Sequence, residues 1–382
     1  MQRIYLDNSA TTPVRPEVLE AMLPYLRDAY GNAGSVHAYG RAARRAVDDA
    51  RDEVAALINA DPRDIYFTSG GTEADNLAVR GRVAANSGRK CRMIVSSIEH
   101  HAVLHAAEYV RAHNGVDLVT VPVDKDGLVD PDQLESYLTD ETALVSIMHA
   151  NNETGAIQPV EKIAQSCVAR GIVFHSDTVQ SVGKITVDVQ SCPIGMLAIS
   201  AHKLYAPKGV GACYIRKGVD LVAQSIGGGQ ERERRAGTEN VPGIVGLGKA
   251  CALARAERDT AAKRIEALRD RLETGVLARV PGAVVNAANA PRLPGIANIA
   301  FPGVDGESLV LALDVAGFAV SSGAACTAGS LDPSHVLLAM GQSYETAQSA
   351  IRFSLGIYTT ESEIDSLIAA LPEVLARTRA GR

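Results

Sequence analysis

An α/β fold carrying a largely parallel sheet with helices on both faces, followed by a smaller α+β unit, is what the sequence predicts, and three observations predict it. From residue 55 to about 215, the apolar runs DIYFT, RMIVSS, LVTVPV, ALVSIMH, GIVFHS, MLAISA and GACYIR alternate with helix-like stretches, the rhythm of buried strands joined by crossover helices. From about 249 to 280, KACALARAERDTAAKRIEALRDRLETGVLARV has the apolar period of a long amphipathic helix leading away from that sheet. Beyond it, IANIAF, AVSSG and SAIRFSL read as strands of the smaller unit, and TTESEIDSLIAALPEVLARTRAGR reads as a closing helix with a capping Thr and an acidic first turn. The expected division is a large domain over 15–258 and a small domain over 259–382 that also takes in 1–14.

The chain has 382 residues, 46% of them hydrophobic, enough for one large core and a smaller satellite. Its net charge of -6 argues against a nucleic-acid or anionic-membrane surface, so small or zwitterionic partners are expected. MQRIYLDNSATTP lacks the apolar core of a signal peptide, and no apolar run reaches about 18 residues, so a soluble cytoplasmic protein is expected. The six cysteines are widely scattered with no CxxC or zinc spacing, which argues against a disulfide framework. Cys91, Cys167, Cys192, Cys213 and Cys251 are expected to pack as small hydrophobes. Cys326 differs: it lies among small residues from Ser321 to Ser330 that have little to pack, which suggests an exposed loop and a usable thiol.

In open α/β sheets, ligands collect beyond the carboxyl ends of the strands, so polar residues there are the ones to question. DIYFT runs into Ser69-Gly70-Gly71-Thr72-Glu73 and then a helical pattern; glycines there let backbone N–H groups approach an anion at a helix start, although the pair taken alone describes a tight turn as well. ALVSIMHA ends in Asn151-Asn152-Glu153, and GIVFHS ends in Asp177 with Gln180 expected one helical turn on. A carboxylate at a buried strand end needs a cation or strong donor, unless Asp177 simply caps a helix. MLAIS delivers Ser200, His202 and Lys203 to the same edge. A lysine to condense with an aldehyde, an acid for a ring nitrogen and a nest for a phosphate together describe pyridoxal 5'-phosphate. SIEHHAVLH adds His100, placed for ring stacking or proton transfer; His101 and His105 could share a helix face, but no HExxH pattern supports a metal there.

With these residues in view, the sequence resembles the cysteine desulfurases of the NifS/IscS type, within the fold type I pyridoxal-phosphate enzymes. YLDNSATTP, YGNAGSVH, SGGTEADN, EHHAVL, ANNETG, HSDTVQSVGK, SAHKLYAPKGVG, GGGQERERRAGTEN, SSGAACTAG and IRFSLG follow in order from residue 5 to near 365. The resemblance implies that Lys203 bonds the cofactor aldehyde, Asp177 pairs with the ring nitrogen, Gln180 holds the phenolic oxygen and His100 stacks on the ring. It implies that Gly71, Thr72, Ser200 and His202 hold the phosphate, joined by Thr238 from the second subunit of a homodimer. Asn152 and Arg352 would bind the carboxylate of L-cysteine, and Cys326 would take its sulfur as a persulfide, leaving L-alanine. The acceptor would be an iron-sulfur assembly scaffold or another sulfur-transfer protein; whether Cys326 also ligates an iron-sulfur cluster in transit stays open. The run ERERR reads on its own as a solvated face, and the resemblance moves it to the subunit contact. Three features depart from the family: Ala324 stands for a usual serine, Ala206 for a common glycine, and the sequence stops at Arg382, short of the extension that scaffold-docking relatives use. The rival readings are a selenocysteine lyase or other fold type I aminotransferase, which need not depend on Cys326, and a non-catalytic sulfur-handling scaffold.

Overall fold

The structure, a computed structural model, describes residues 3–322 and 332–380. Its strands are β1 (Ile4–Tyr5), β2 (Ile65–Thr68), β3 (Arg92–Ser96), β4 (Asp117–Val121), β5 (Thr142–Ser146), β6 (Val173–Asp177), β7 (Met196–Ser200), β8 (Gly211–Ile215), β9 (Val284–Val285), β10 (Ile296–Ala300), β11 (Phe318–Ala319), β12 (Ser321–Ser322) and β13 (Ala350–Ser354). Among the described residues, β2 to β8 form one seven-stranded sheet in the order β2-β8-β7-β6-β5-β3-β4. The strands from β4 across to β7 run parallel, and β8 lies antiparallel between β7 and β2. Each of the seven apolar runs forms one of these strands. In β5, β7 and β8 every residue is buried, because both faces of the sheet are covered and no polar alternation is needed.

The covering helices follow from that topology, since parallel neighbours require crossovers. Helices α1 (Pro16–Arg27) and α2 (Ala38–Leu57) precede the sheet, and α3 (Gly71–Ala84), α4 (His101–Asn114), α5 (Pro131–Tyr137) and α6 (Val160–Ala169) connect its strands. Along β3, Met93 and Val95 point into a core with Leu77 and Val103 of α3 and α4, while Ile94 joins the opposite core with Val47, Val54 and Ile163.

The long helix, α7, runs from Val241 to Arg279 and so begins eight residues before the apolar period predicts. VPGIVGLG hides it, because Pro and Gly usually punctuate helices. Here Pro242 occupies the first turn, where it costs no hydrogen bond, and Asn240 caps the end by accepting from Gly243 N at 3.1 Å. The glycines serve packing: a Cβ on Gly248 would stand 2.6 Å from Ala50 Cα, so only glycine lets α7 cross α2 this closely.

After α7 come α8 (Gly306–Val315), α9 (His335–Ala339), α10 (Tyr344–Gln348) and α11 (Glu361–Ala380). They accompany a second sheet ordered β12-β13-β10-β9, antiparallel throughout, and β1 pairs in parallel with β11. The capping Thr is as expected: Thr360 N donates to Glu363 at 2.8 Å and Glu363 N returns to Thr360 Oγ1 at 3.3 Å. On α7, buried Ile244 and Leu247 belong to the large-sheet core, whereas Leu268 and Leu272 belong to the small-sheet core, together with Leu6. On that ground we propose that the division of 15–258 from 259–382 plus 1–14 falls within α7, between those two apolar stretches. No helix among the described residues is long and apolar enough to cross a membrane.

Candidate active site

β2 ends in Thr68, Gly70 precedes α3, and α3 begins at Gly71, which leaves unpaired backbone N–H groups at the strand edge. A Cβ on Gly71 would lie 2.6 Å from Val179 Cγ2 and 3.4 Å from Ser200 Cβ. The tight turn is therefore present, and it sits at a helix start that lines the cavity described below. Glu73 does not oppose an anion there, because its carboxylate accepts from Ser69 N at 2.7 Å and from Arg235 Nε at 2.7 Å.

β7 ends at Ser200 and runs into a single 3-10 turn, Ala201–Lys203, that delivers His202 and Lys203. What holds that turn is the N-terminal segment. Thr12 donates twice to the carbonyl of His202, from N at 3.0 Å and from Oγ1 at 2.9 Å. Lys203 Nζ donates to Ser9 O at 2.5 Å and Ala10 O at 2.7 Å. His202 Nδ1 lies 3.1 Å from Thr11 Oγ1. Burial first, and then neighbouring Lys203, push His202 down to about 4, so its ring is neutral at physiological pH.

At the end of β6, Asp177 is buried and its Oδ1 accepts from Val179 N at 2.9 Å. No helix starts there; turns follow, so Asp177 closes a turn and Gln180 is not one helical turn away. The helix-cap alternative fails because the chain must double back to bring Gln180 onto Ser9, whose carbonyl accepts from Gln180 Nε2 at 3.0 Å. Burial raises the Asp177 carboxyl, with His100 pulling the other way. Asp75 on α3 is raised well above the usual range by burial and by the Asp177 charge, and burial pushes Glu99 up to about 8.

His100 caps α4, and its Nδ1 accepts from Ala102 N at 3.1 Å, which assigns the ring proton to Nε2. His101 and His105 stack at 4.8 Å, and His335 approaches His101 at 4.9 Å. Among the described residues no group of three His, Cys, Asp or Glu is arranged to hold a metal. Arg352, on β13, is 2% exposed; its Nη2 donates to Asp7 at 2.8 Å and its Nη1 to Asn152 O at 3.1 Å. Its Nε is buried with no acceptor.

Gly71, Thr72, His100, Asn152, Asp177, Gln180, Ser200, His202, Lys203 and Arg352 all line one cavity of about 560 Å³. Thr238 is exposed and does not line it. Cys326 lies outside the described residues, but its flanks do not: Ser321 pairs with Arg352 across the strands, and Ser334 Oγ donates to Glu153 at 2.5 Å. The ERERR run is a solvated face only in part, at exposed Arg232 and Glu233. Buried Glu231 takes both Nη groups of Arg51 at 2.8 Å and the N–H of Phe67 at 2.8 Å, while Arg235 holds Glu73. Ser9, Ala10, Thr11 and Asp75 also line the cavity, and the strand-end pattern marks none of them. Ser9 and Ala10 act through backbone carbonyls, which no side-chain pattern announces, and Thr11 through its hydroxyl; Asp75 could have been found as a carboxylate one turn into a glycine-led helix. Cys167, Cys213 and Cys251 are buried and Cys91 and Cys192 half-buried. Burial pushes these thiols up, Cys192 to about 11 and Cys167 to about 12.

The family model for aminotransferase class-V matches residues 4–367. The chain belongs to the class V aminotransferase family. Within that class V family it is 50% identical over 380 residues to the cysteine desulfurase of Trichormus azollae, covering 100% of this chain and 94% of that one. It is 46% identical over 376 residues to the cysteine desulfurase IscS of Methanosarcina thermophila, covering 98% and 93%. A solved structure of a NifS-like protein superposes with a TM-score of 0.92 at 39% identity, covering 98% of this chain and 100% of that one.

Proposed function

We propose that this class V enzyme is a cysteine desulfurase, which takes the sulfur of L-cysteine, releases L-alanine and hands the sulfur to an acceptor protein. The observation that carries the reading is the convergence of Lys203, Asp177, His100 and the Gly71–Thr72 cradle on the cavity where Arg352 keeps a donor to spare. That donor set fits pyridoxal 5'-phosphate, the family's cofactor. The start of α3 with Thr72, Ser200 and His202 would hold the phosphate, Asp177 the ring nitrogen, Gln180 the phenolic oxygen, His100 the ring face and Lys203 the aldehyde. Without a Cβ, Gly71 packs against Val179 and Ser200, and the start of α3 that it forms is where backbone N–H groups favour such an anion.

When bound, the cofactor supplies an electron-withdrawing ring that takes up the charge left on the substrate's Cα. The residues do the rest. Arg352 and Asn152 fix the substrate carboxylate, the guanidinium offering its forked donors. Lys203 Nζ would carry the cofactor at rest and, once free, take the Cα proton, and His100, with Nδ1 committed to Ala102, exchanges a proton at Nε2. Cys326, as thiolate, forms an S–S bond to the substrate sulfur while the Cβ–S bond breaks. The bonding pair stays with Cβ, which is then protonated to the methyl of alanine.

The role of Cys326 is supported by its place in the sequence, four residues beyond Ser322, since neighbouring Ser321 stands opposite Arg352. The other five thiols are held protonated by burial. We further propose a homodimer, in which exposed Thr238 completes the phosphate site of the partner, a cytoplasmic location, and an iron-sulfur assembly scaffold as the acceptor.

The test is Cys326→Ala, assayed for alanine, persulfide and sulfide without added thiol. The expected result is loss of the persulfide and a fall in turnover of at least a hundredfold, with the visible absorption of the cofactor retained. Sulfur release at the normal rate would mean that the desulfurase chemistry proposed for Cys326 is wrong.

A further inference from the structure

We propose that Lys184 is a positioning residue of this site, whose ammonium locks the carboxamide of Gln180 with its N–H groups toward the cofactor and sets the charge balance around Lys203. The proposal rests on the reading of the cavity given above. Lys184 does not line that cavity but stands behind it, where its Nζ donates to Gln180 Oε1 at 2.8 Å. Gln180 Nε2 in turn donates to Ser9 O at 3.0 Å, and the same carbonyl accepts from Lys203 Nζ at 2.5 Å. Lys184, Gln180, Ser9 and Lys203 therefore form one hydrogen-bonded chain.

The chain fixes an orientation that a glutamine alone does not. Turned over, the amide would set its NH2 against an ammonium and its oxygen against a carbonyl, two repulsive contacts in a buried place. As it stands, one N–H of Gln180 is spent on Ser9 and the second is left for the cavity that Gln180 lines. An ammonium on Oε1 also polarises the amide and makes that second N–H a stronger donor to an anionic oxygen.

The cost of placing a lysine here points the same way. Among the described residues no carboxylate lies within ion-pairing distance of Lys184. The charged groups that bear on it are Lys203 and Arg352 toward the active site and, in the adjoining apolar cavity that Lys184 also lines, Arg15, Glu257 and Arg258. Glu257 is already held by Arg15 at 2.7 Å. Burial, and then Lys203 and Arg352, push Lys184 down to about 7. An apolar side chain would avoid that cost, whereas an amine here keeps cationic character next to the groups that hold the cofactor.

The experiment is a pH titration of the visible absorption of the holoenzyme for wild type, Lys184→Met and Lys184→Arg. Positive charge favours the deprotonated, anionic form of the lysine-bound cofactor. Its removal in Lys184→Met is expected to raise the midpoint by roughly half a unit to one unit, and Lys184→Arg is expected to restore it. A Lys184→Met midpoint equal to the wild type, with the band intact, overturns the proposal. If Lys184→Met does not fold, Lys184→Gln, which keeps the donor and removes the charge, is read in the same way. A wild-type holoenzyme with no visible band would instead overturn the cofactor reading itself, so the two failures are distinguishable.

Discussion

Where β6, α3 and the start of α4 meet, the cavity gathers carboxyls, whereas beyond β7 it gathers amines and an imidazole. Asp75, Asp177 and Glu99 are buried and their carboxyls are all raised, chiefly by desolvation. On the basic side His202, which lines the cavity, and Lys184, which stands behind it, are pushed down, also chiefly by desolvation. Each side thus moves toward neutrality for the same reason, and the two do so with opposite sign. A ligand that brings a cation to the acid side and anions to the basic side would reverse both shifts. Pyridoxal phosphate is such a ligand, with a protonated ring nitrogen at one edge and a phenolic oxygen and phosphate at others. The lesson is that the cavity is charged by what binds it.

Breaking the acid side should have the largest effect. Asp177→Asn keeps the shape and the acceptor for Val179 N, but it removes the charge that, on the proposed reading, would hold the ring nitrogen protonated. A fall in kcat of about a thousandfold is expected, measured as alanine formation at saturating cysteine, with cofactor content unchanged. A wild-type kcat would separate Asp177 from the ring.

A smaller effect sharpens the contrast through stability. Glu99 has a folded value of about 8 against an ordinary 4.5. Between those values the folded protein keeps a proton that the unfolded chain has lost, so stability is full below about 4.5 and declines as pH rises through about 8. Glu99→Gln leaves an acceptor for Ser96 and Met148 and removes the titration. The melting temperature of the variant should therefore fall less between pH 5 and 8 than that of the wild type, by a few degrees. Parallel curves would show that Glu99 does not titrate in this window.

How much of this was legible in the sequence depends on whether a feature lives in side-chain pattern or in backbone. The seven strands were legible, because burial on both faces leaves unbroken apolar runs. The residues at their ends were legible too, because a lysine, an aspartate and a glycine pair are conspicuous next to such runs. The first turns of α7 were not, since the glycines that admit α2 are the residues that usually argue against a helix. The clamp on Lys203 was not, since Ser9 and Ala10 contribute carbonyls from nearly 200 residues away. ERERR was misleading because charge alternation suggests solvent, while Glu231 and Arg235 meet partners, Arg51 and Glu73, that are distant in sequence. The turn after Asp177 escaped for a related reason, as helix capping and turn closure use the same Asp oxygen.

The central claim is that Lys203 is the amine that carries the cofactor, and Lys184 supplies a demanding control, being a second, half-buried lysine nearby that is pushed down to about 7. The direct measurement is borohydride fixation of the cofactor in the purified holoenzyme, followed by proteolysis and mass mapping of the label. The label should fall on Lys203 alone; a label on Lys184, or none on either lysine, would contradict the account.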